Sequence, residues 1–257
     1  MDPARPKPRE HPLIAATTDQ WRLLDVQALD TRLSQIAHRR RTLPEHAELA
    51  ALQQRAAALR DELVGAQTVA SDIARELAKA EADVELVRQR SARDQARLQS
   101  GTGGHKELES LQHEVATLAR RQSVLEDIEL EIMERHEEVS AAVERLSAES
   151  AGLQGEIDAM TGRRDAAIAA LDAEAESLAR ERVGLVAGMD PKLLALYEKI
   201  RAGGGVAAAK LWQRRCEGCR MELNPQDLQR IRAAADDDVV RCEECGGILV
   251  RTGESGL

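Results

Sequence analysis

Four cysteines are the residues best suited to chemistry. They stand as Cys216-Glu-Gly-Cys219 and Cys242-Glu-Glu-Cys245, two CxxC pairs separated by 22 residues, all within the last 42 positions of a 257-residue chain. A CxxC turn bends so that both thiolates face one ion, with backbone amides turned toward the sulfurs. Two such turns complete a tetrahedral four-sulfur site, the usual arrangement for structural zinc. All four ligands then come from protein and no water is held for activation, so one structural Zn2+ is expected rather than a catalytic one. The competing reading is two redox disulfides or unliganded thiols. Paired turns in a small, core-poor segment favour zinc.

The elements that must position these thiols can be read around them. Gly218, Gly246 and Gly247 supply loose backbone at the turns. Asn224 to Ala235 fills the gap as a short helix. Val239-Val240-Arg241 and Ile248-Leu249-Val250 read as strands leading into and out of the second turn. Residues 206–257 are therefore expected to form a zinc ribbon. Upstream, residues 188–205 form a connector. Asp190-Pro191 starts a short helix from Lys192 to Ala202, and Gly203-Gly204-Gly205 stops it and leaves the ribbon's angle open.

The preceding 170 residues follow a different rule. Apolar positions recur in alternating steps of three and four: Val26, Leu29, Leu33, Ile36 and Leu43 with Arg40 as the polar exception, then from Leu49 to Leu98, then from Leu108 to Met160 and less regularly to Leu185. This is a heptad seam. Leu43-Pro44 breaks it, and Ser100-Gly101-Thr102-Gly103-Gly104 must turn. Helices over 19–43 and 47–99 together span about 117 Å at 1.5 Å per residue, and a helix over 105–186 spans about 123 Å. The match predicts one antiparallel hairpin over 18–187, its turn near 100–104. A parallel dimeric coiled coil is the alternative. The fold class expected is mainly α: a long antiparallel coiled-coil hairpin with a small C-terminal, β-containing zinc ribbon.

Composition agrees. The chain has two Trp, one Tyr and no Phe, which argues against a large α/β or β-rich enzyme core. Residues 1–17 are Pro-rich and charged at their start and read as a flexible arm with no signal-peptide core. No run of about 18 apolar residues suggests a membrane span. With clustered thiols, these features point to a cytoplasmic protein. The net charge of −9 excludes a strongly basic nucleic-acid binder as a whole-chain reading.

No catalytic constellation and no small-molecule substrate site emerges. His113 and His136 lie on the third helix, His136 on the seam itself, where a polar residue sets register. The Gly101-Thr102-Gly103-Gly104 segment lacks P-loop spacing and a preceding strand, so it reads as a turn. The turn exposes His105 and Lys106 for partner contact. Two basic clusters bear on partners. His38-Arg39-Arg40-Arg41 reads chiefly as a solvated helix end. Around the ribbon entrance, Lys192, Lys199, Arg201, Lys210, Arg214 and Arg215 stand against a single acid, Glu198, with Trp212 among them to stack on a base.

The combination of MDPKLLALYEKIR, GGGVAAAKLWQRRCEGCRMELNP and RCEECGGILV after a long hairpin resembles a bacterial family of coiled-coil proteins with a C-terminal four-cysteine zinc ribbon. HKELESLQHEV and LEDIELEIMERHEE also resemble that family's segment after the hairpin turn. The resemblance spans 18–252 and is most specific in its C-terminal third. It implies the metal ligands Cys216, Cys219, Cys242 and Cys245. It further implies an adaptor role: members in flagellated and type III secretion bacteria bind the enhancer-dependent alternative sigma factor and secretion components, and one binds flagellin messenger RNA. The family's usual CGRILY ending is CGGILV here, which removes an Arg and a Tyr from that edge. The first functional expectation is a non-enzymatic adaptor with a protein partner. The second is an RNA- or transcription-associated protein that uses the ribbon entrance.

Overall fold

The computed structural model describes residues 13–257. In chain order it contains α1 (Thr17–Arg41), α2 (Pro44–Ser100), α3 (His105–Val186), α4 (Pro191–Ala202), β1 (Ala208–Trp212), β2 (Arg215–Cys216), α5 (Pro225–Ala233), β3 (Val240–Arg241) and β4 (Ile248–Val250). They fall into two compact units. One comprises residues 44–164, and the other joins the described residues before 44 to 165–257.

The unit of residues 44–164 is an antiparallel helix pair. Pro44 takes the first helical position of α2, where its missing N–H costs nothing. From Leu49 to Ser100, every residue of α2 that is not exposed belongs to the expected seam. On α3, each seam position from Leu108 to Met160 is buried or half-buried, His136 included. Leu49 and Leu59 pack with Leu153, Ile157 and Met160. Ion pairs run down the flanks: Arg97 to Glu107 at 3.4 Å, Arg88 to Glu126 at 2.6 Å and Arg135 to Glu76 at 3.3 Å. As the α2 partner lies farther from the turn, so does the α3 partner, the order of antiparallel helices. The seam is thus filled within one chain, which removes the parallel dimer as its explanation. At the turn, the Gly104 carbonyl accepts the N–H groups of Glu107 and Leu108 at 2.9 and 3.1 Å.

The other unit begins where α1 packs on the end of α3 through Leu29, Ile36, Leu171 and Leu178. Arg40 pairs with Asp172 at 3.2 Å and Arg32 with Glu174 at 3.5 Å. Part of the basic cluster at 38–41 is therefore ion-paired. Asp190 caps α4 by accepting from the N–H groups of Lys192 and Leu193. The four-stranded sheet has the order β2-β1-β4-β3, with β1 and β4 parallel and the outer pairs antiparallel.

Two expectations change here. Residues 1–12 of the expected arm lie outside the described residues. Residues 13–16, however, are held in place: Ile14 bridges Asp238, Ala15 is buried, and the Leu13 carbonyl accepts from Val239 at 2.8 Å. Helix α1 then starts at Thr17 behind Ala16, without a side-chain cap. The ribbon is also not loosely hung on its three glycines. One core contains Leu23 and Val26 of α1, Leu193 and Tyr197 of α4, and Ala207, Ala208 and Ile248 of the ribbon. The reason is patterning: the ribbon's inner strands are apolar on both faces, so one face needs the helices as cover.

Candidate metal centre

Each cysteine pair is a turn closed by its own backbone. The N–H of Arg220 donates to the Cys216 carbonyl at 2.7 Å, and the N–H of Gly246 to the Cys242 carbonyl at 2.8 Å. Both closing residues are left-handed, Arg220 at φ 62° and Gly246 at φ 73°. Only Gly246 among the expected glycines is needed for its dihedral. Gly218 and Gly247 are needed for space. A Cβ on Gly218 would meet the Ala209 Cβ at 3.1 Å, and one on Gly247 would meet the Val206 carbonyl at 2.8 Å.

The turns face each other. The Cys216 and Cys245 sulfurs are 3.9 Å apart, as are those of Cys219 and Cys242, and all four lie within 4.8 Å of one another. A tetrahedral zinc with Zn–S bonds of about 2.3 Å sets its sulfurs about 3.8 Å apart. The residues present therefore fit the ion, and Cys216, Cys219, Cys242 and Cys245 would hold it. Disulfides are not formed; all four cysteines are free.

The site has an inner and an outer side. Cys216 and Cys242 are buried with Leu211, Leu223, Ile231 and Leu249, whereas Cys219 is half-buried and Cys245 exposed. Burial pushes the Cys216 thiol up to about 12, against N–H groups of Cys219 and Gly218 that donate to its sulfur. Burial raises Cys242 too, opposed by the N–H groups of Cys245 and Glu244. At Cys219 burial also acts upward, but the Met221 N–H and neighbouring thiols outweigh it, and the net shift is down. Burial favours the protonated form of the two inner thiols, so metal uptake releases protons.

The other expected site residues do not form one basic face. Lys192 and Lys199 are exposed on α4. Arg201 is turned back to Glu198 at 2.8 Å and to Asp30 at 3.7 Å. Lys210 pairs with Glu254. Gln213 and Arg214 are the two left-handed residues of the tight turn joining β1 to β2, and the Arg214 guanidinium donates to the Gly256 carbonyl at 3.2 Å. Trp212 and Arg215 face each other across that hairpin, both exposed.

Several residues that hold the ribbon were not foreseen. Asp30 is buried on α1 and accepts from Arg182 of α3 at 2.7 Å and from Tyr197 of α4 at 2.8 Å. Arg182 also pairs with Glu198. The Asp30 hydrogen bond, ahead of the opposing burial, raises Arg182; burial, then Asp30, raises Tyr197. Arg251 donates to the carbonyls of Ile231, Ala234, Ala235, Asp236 and Asp238, closing the end of α5. The Trp21 indole donates to the Arg251 carbonyl at 2.9 Å. The one sequence signal was rarity: Tyr197 is the only Tyr, and Trp21 one of two Trp.

Comparison with known proteins agrees with this geometry. Residues 26–205 match the CT398-like coiled coil hairpin domain, and residues 215–249 the C4-type zinc ribbon domain. An uncharacterized protein of Mycobacterium tuberculosis is 39% identical over 237 residues, covering 92% of this chain and 97% of that protein. An uncharacterized protein of Mycobacterium leprae is 33% identical over 227 residues, covering 86% and 95%. A solved structure from Mycobacterium smegmatis, 40% identical, superposes with a TM-score of 0.83 over 93% of this chain and 100% of that one. The structure of CT398 from Chlamydia trachomatis shares the fold at 19% identity, with a TM-score of 0.64 over 91% and 98%. By its matched domain and its relatives, the chain belongs to the family of CT398-like coiled-coil hairpin proteins that end in a four-cysteine zinc ribbon.

Proposed function

We propose that this protein is a non-enzymatic, zinc-binding adaptor of the cytoplasm. The helical hairpin is a docking scaffold, the ribbon a recognition module, and one structural zinc holds the ribbon in shape. The observation that carries the reading is the four-sulfur cluster, closed on all sides by protein ligands and set in a module that shares a core with α1 and α4. A closed site supplies rigidity, not an activated water. The low aromatic content and the surface pattern of the helices add no second site of chemistry. Among the described residues, no helix is long and apolar enough to cross a membrane.

The RNA reading rests on the ribbon entrance and is the weaker one. Arg201, Lys210 and Arg214 are engaged within the chain, which leaves Lys192, Lys199 and Arg215 to meet phosphate. By family resemblance, a sigma factor or a secretion component is the class of protein partner to look for. The test is affinity capture from native cytosol with zinc-loaded protein, with and without ribonuclease. Protein partners that survive ribonuclease and are lost with Cys216→Ser support the adaptor. Partners lost with ribonuclease, together with RNA binding that weakens steeply with salt and on Arg215→Glu, replace it with the RNA reading. A turnover activity abolished by a single substitution overturns both.

A further inference from the structure

The unit of residues 44–164 carries a surface whose pattern its own packing does not explain. On α2, Glu48, Ala51, Leu52 and Arg55 line one side of a groove of about 530 Å3. On α3, Glu156, Ala159, Met160 and Arg163 line the other. The two stretches read ELAALQQR and EIDAMTGR. Acid, small residue, apolar residue and arginine recur at the same spacing, on helices that run in opposite directions. The groove therefore has a local two-fold pattern, with Glu48 opposite Arg163 and Arg55 opposite Glu156.

Elsewhere on this flank some of the charges just before the seam close into ion pairs, as in Glu76 with Arg135 and Arg90 with Glu114. At the groove they do not. Among the described residues, Glu48, Arg55 and Glu156 have no ion-pair or hydrogen-bond partner, and the Arg163 guanidinium reaches only the Met160 sulfur at 3.6 Å. The small residues continue along the same face as Ala58, Gly65 and Gly152. A Cβ on Gly65 or Gly152 would meet nothing within 4 Å. No packing inside the chain calls for glycine at these helix-interior sites, and glycine weakens a helix. Close approach by something outside the chain does call for it.

We infer that this groove is where a second copy of the same chain docks, face to face, to form a symmetric dimer. The charges select that occupant. A face with two glutamates and two arginines in two-fold order is its own complement. A copy laid on it by a two-fold axis along the hairpin puts each Glu over an Arg of the other helix. A copy laid on it by an axis across the hairpin puts each Glu over an Arg of the same helix type. Both orientations set unlike charges together, and Ala51, Ala159, Gly65 and Gly152 let the backbones come close.

Sedimentation equilibrium on the full zinc-loaded chain tests this. The wild-type chain is expected to dimerise reversibly, more weakly at high salt. Arg55→Glu with Arg163→Glu makes the face wholly acidic, and Glu48→Arg with Glu156→Arg makes it wholly basic. Each double variant alone is expected to self-associate at least about tenfold more weakly, because like charges then oppose. All four side chains are exposed, so circular dichroism is expected to stay unchanged. An equimolar mixture of the two variants is expected to recover a dimer. A wild-type chain that stays monomeric, a dimer indifferent to both variants, or a mixture that fails to reassociate overturns the inference.

Discussion

The Gln27 side-chain oxygen accepts the backbone N–H of Ala207 at 2.7 Å, tying the first helix to the residue that opens the ribbon. The same oxygen accepts from Ala208 at 3.2 Å and lies 3.4 Å from the Tyr197 hydroxyl. One side chain thus satisfies two backbone groups that follow the three glycines. Together with the shared core, this contact and not the glycine connector holds the ribbon on α1.

Replacing Gln27 by Ala leaves those N–H groups without a partner in a half-buried place. The expected loss is about 1–3 kcal/mol, read as a lower urea midpoint. Protease cleavage around Gly203–Gly205 is expected to become faster. Gln27→Glu keeps the accepting oxygen and is expected to lose less. If Gln27→Ala unfolds like the wild type, the tie carries no weight.

Asp30 and Arg182 form the most enclosed ion pair of the molecule among the described pairs, their side chains 5% and 17% exposed. Asp30→Ala removes the more buried member and leaves Arg182 with Glu198 as its remaining partner, at an expected cost of about 1–3 kcal/mol. Tyr197→Phe removes one hydrogen bond to the same carboxylate and is expected to cost about 1 kcal/mol. Because both act on Asp30, their effects in the double variant are expected not to add. A double variant whose loss equals the sum would show that the Tyr197 hydroxyl does not act through Asp30.

The helices and the metal ligands were legible because their signals are local. Seam positions such as Ile73, Val84 and Leu153 mark themselves by spacing alone, and CxxC marks a metal turn by residue type. The docking of the ribbon was not legible. Its carriers are backbone N–H groups at Ala207 and Ala208, which every residue owns, met by a glutamine 180 positions away. Strand β1 was missed for a related reason. Ala208-Ala209-Lys210 has no β-branched residue, and only its parallel pairing with β4 makes it a strand. Arg251 belongs to no motif, and its role shows only in the carbonyls that the fold places around it.

Glu198 gives a pH dependence with a definite sign. Burial pushes its carboxyl up, but hydrogen bonds from Arg182 and Arg201 outweigh this and hold it below the ordinary range. A group whose folded pKa is depressed adds stability above its unfolded value and loses it as pH falls through the folded one. Urea midpoints of the wild type are therefore expected to fall on acidification below the ordinary carboxylate range. Glu198→Gln is expected to start lower at neutral pH and to fall less steeply. Parallel acid limbs for the two proteins would remove Glu198 as a contributor.

Metal removal tests whether ribbon and helices are one unit. The sulfurs of Cys216 and Cys242 sit in a core with Leu211 and Leu249, and the other face of the same strands packs on Leu23, Val26, Leu193 and Tyr197. Without the cation, the two turns lose their common centre and the sheet loses its inner side. Loss of structure is then expected to pass through β1 and β4 into residues 13–30 and α4, and to stop short of the separate unit at 44–164. Hydrogen exchange after chelation, or in Cys216→Ser, is the measurement. Amides of 13–30 and 189–257 are expected to lose protection together, while the seam of α2 with residues 105–164 keeps its own. Both tryptophans, Trp21 and Trp212, lie in the affected part, so fluorescence is expected to change while most helical circular dichroism remains. Exchange confined to 206–257 would mean that the ribbon unfolds alone and that its shared core with α1 and α4 survives without it.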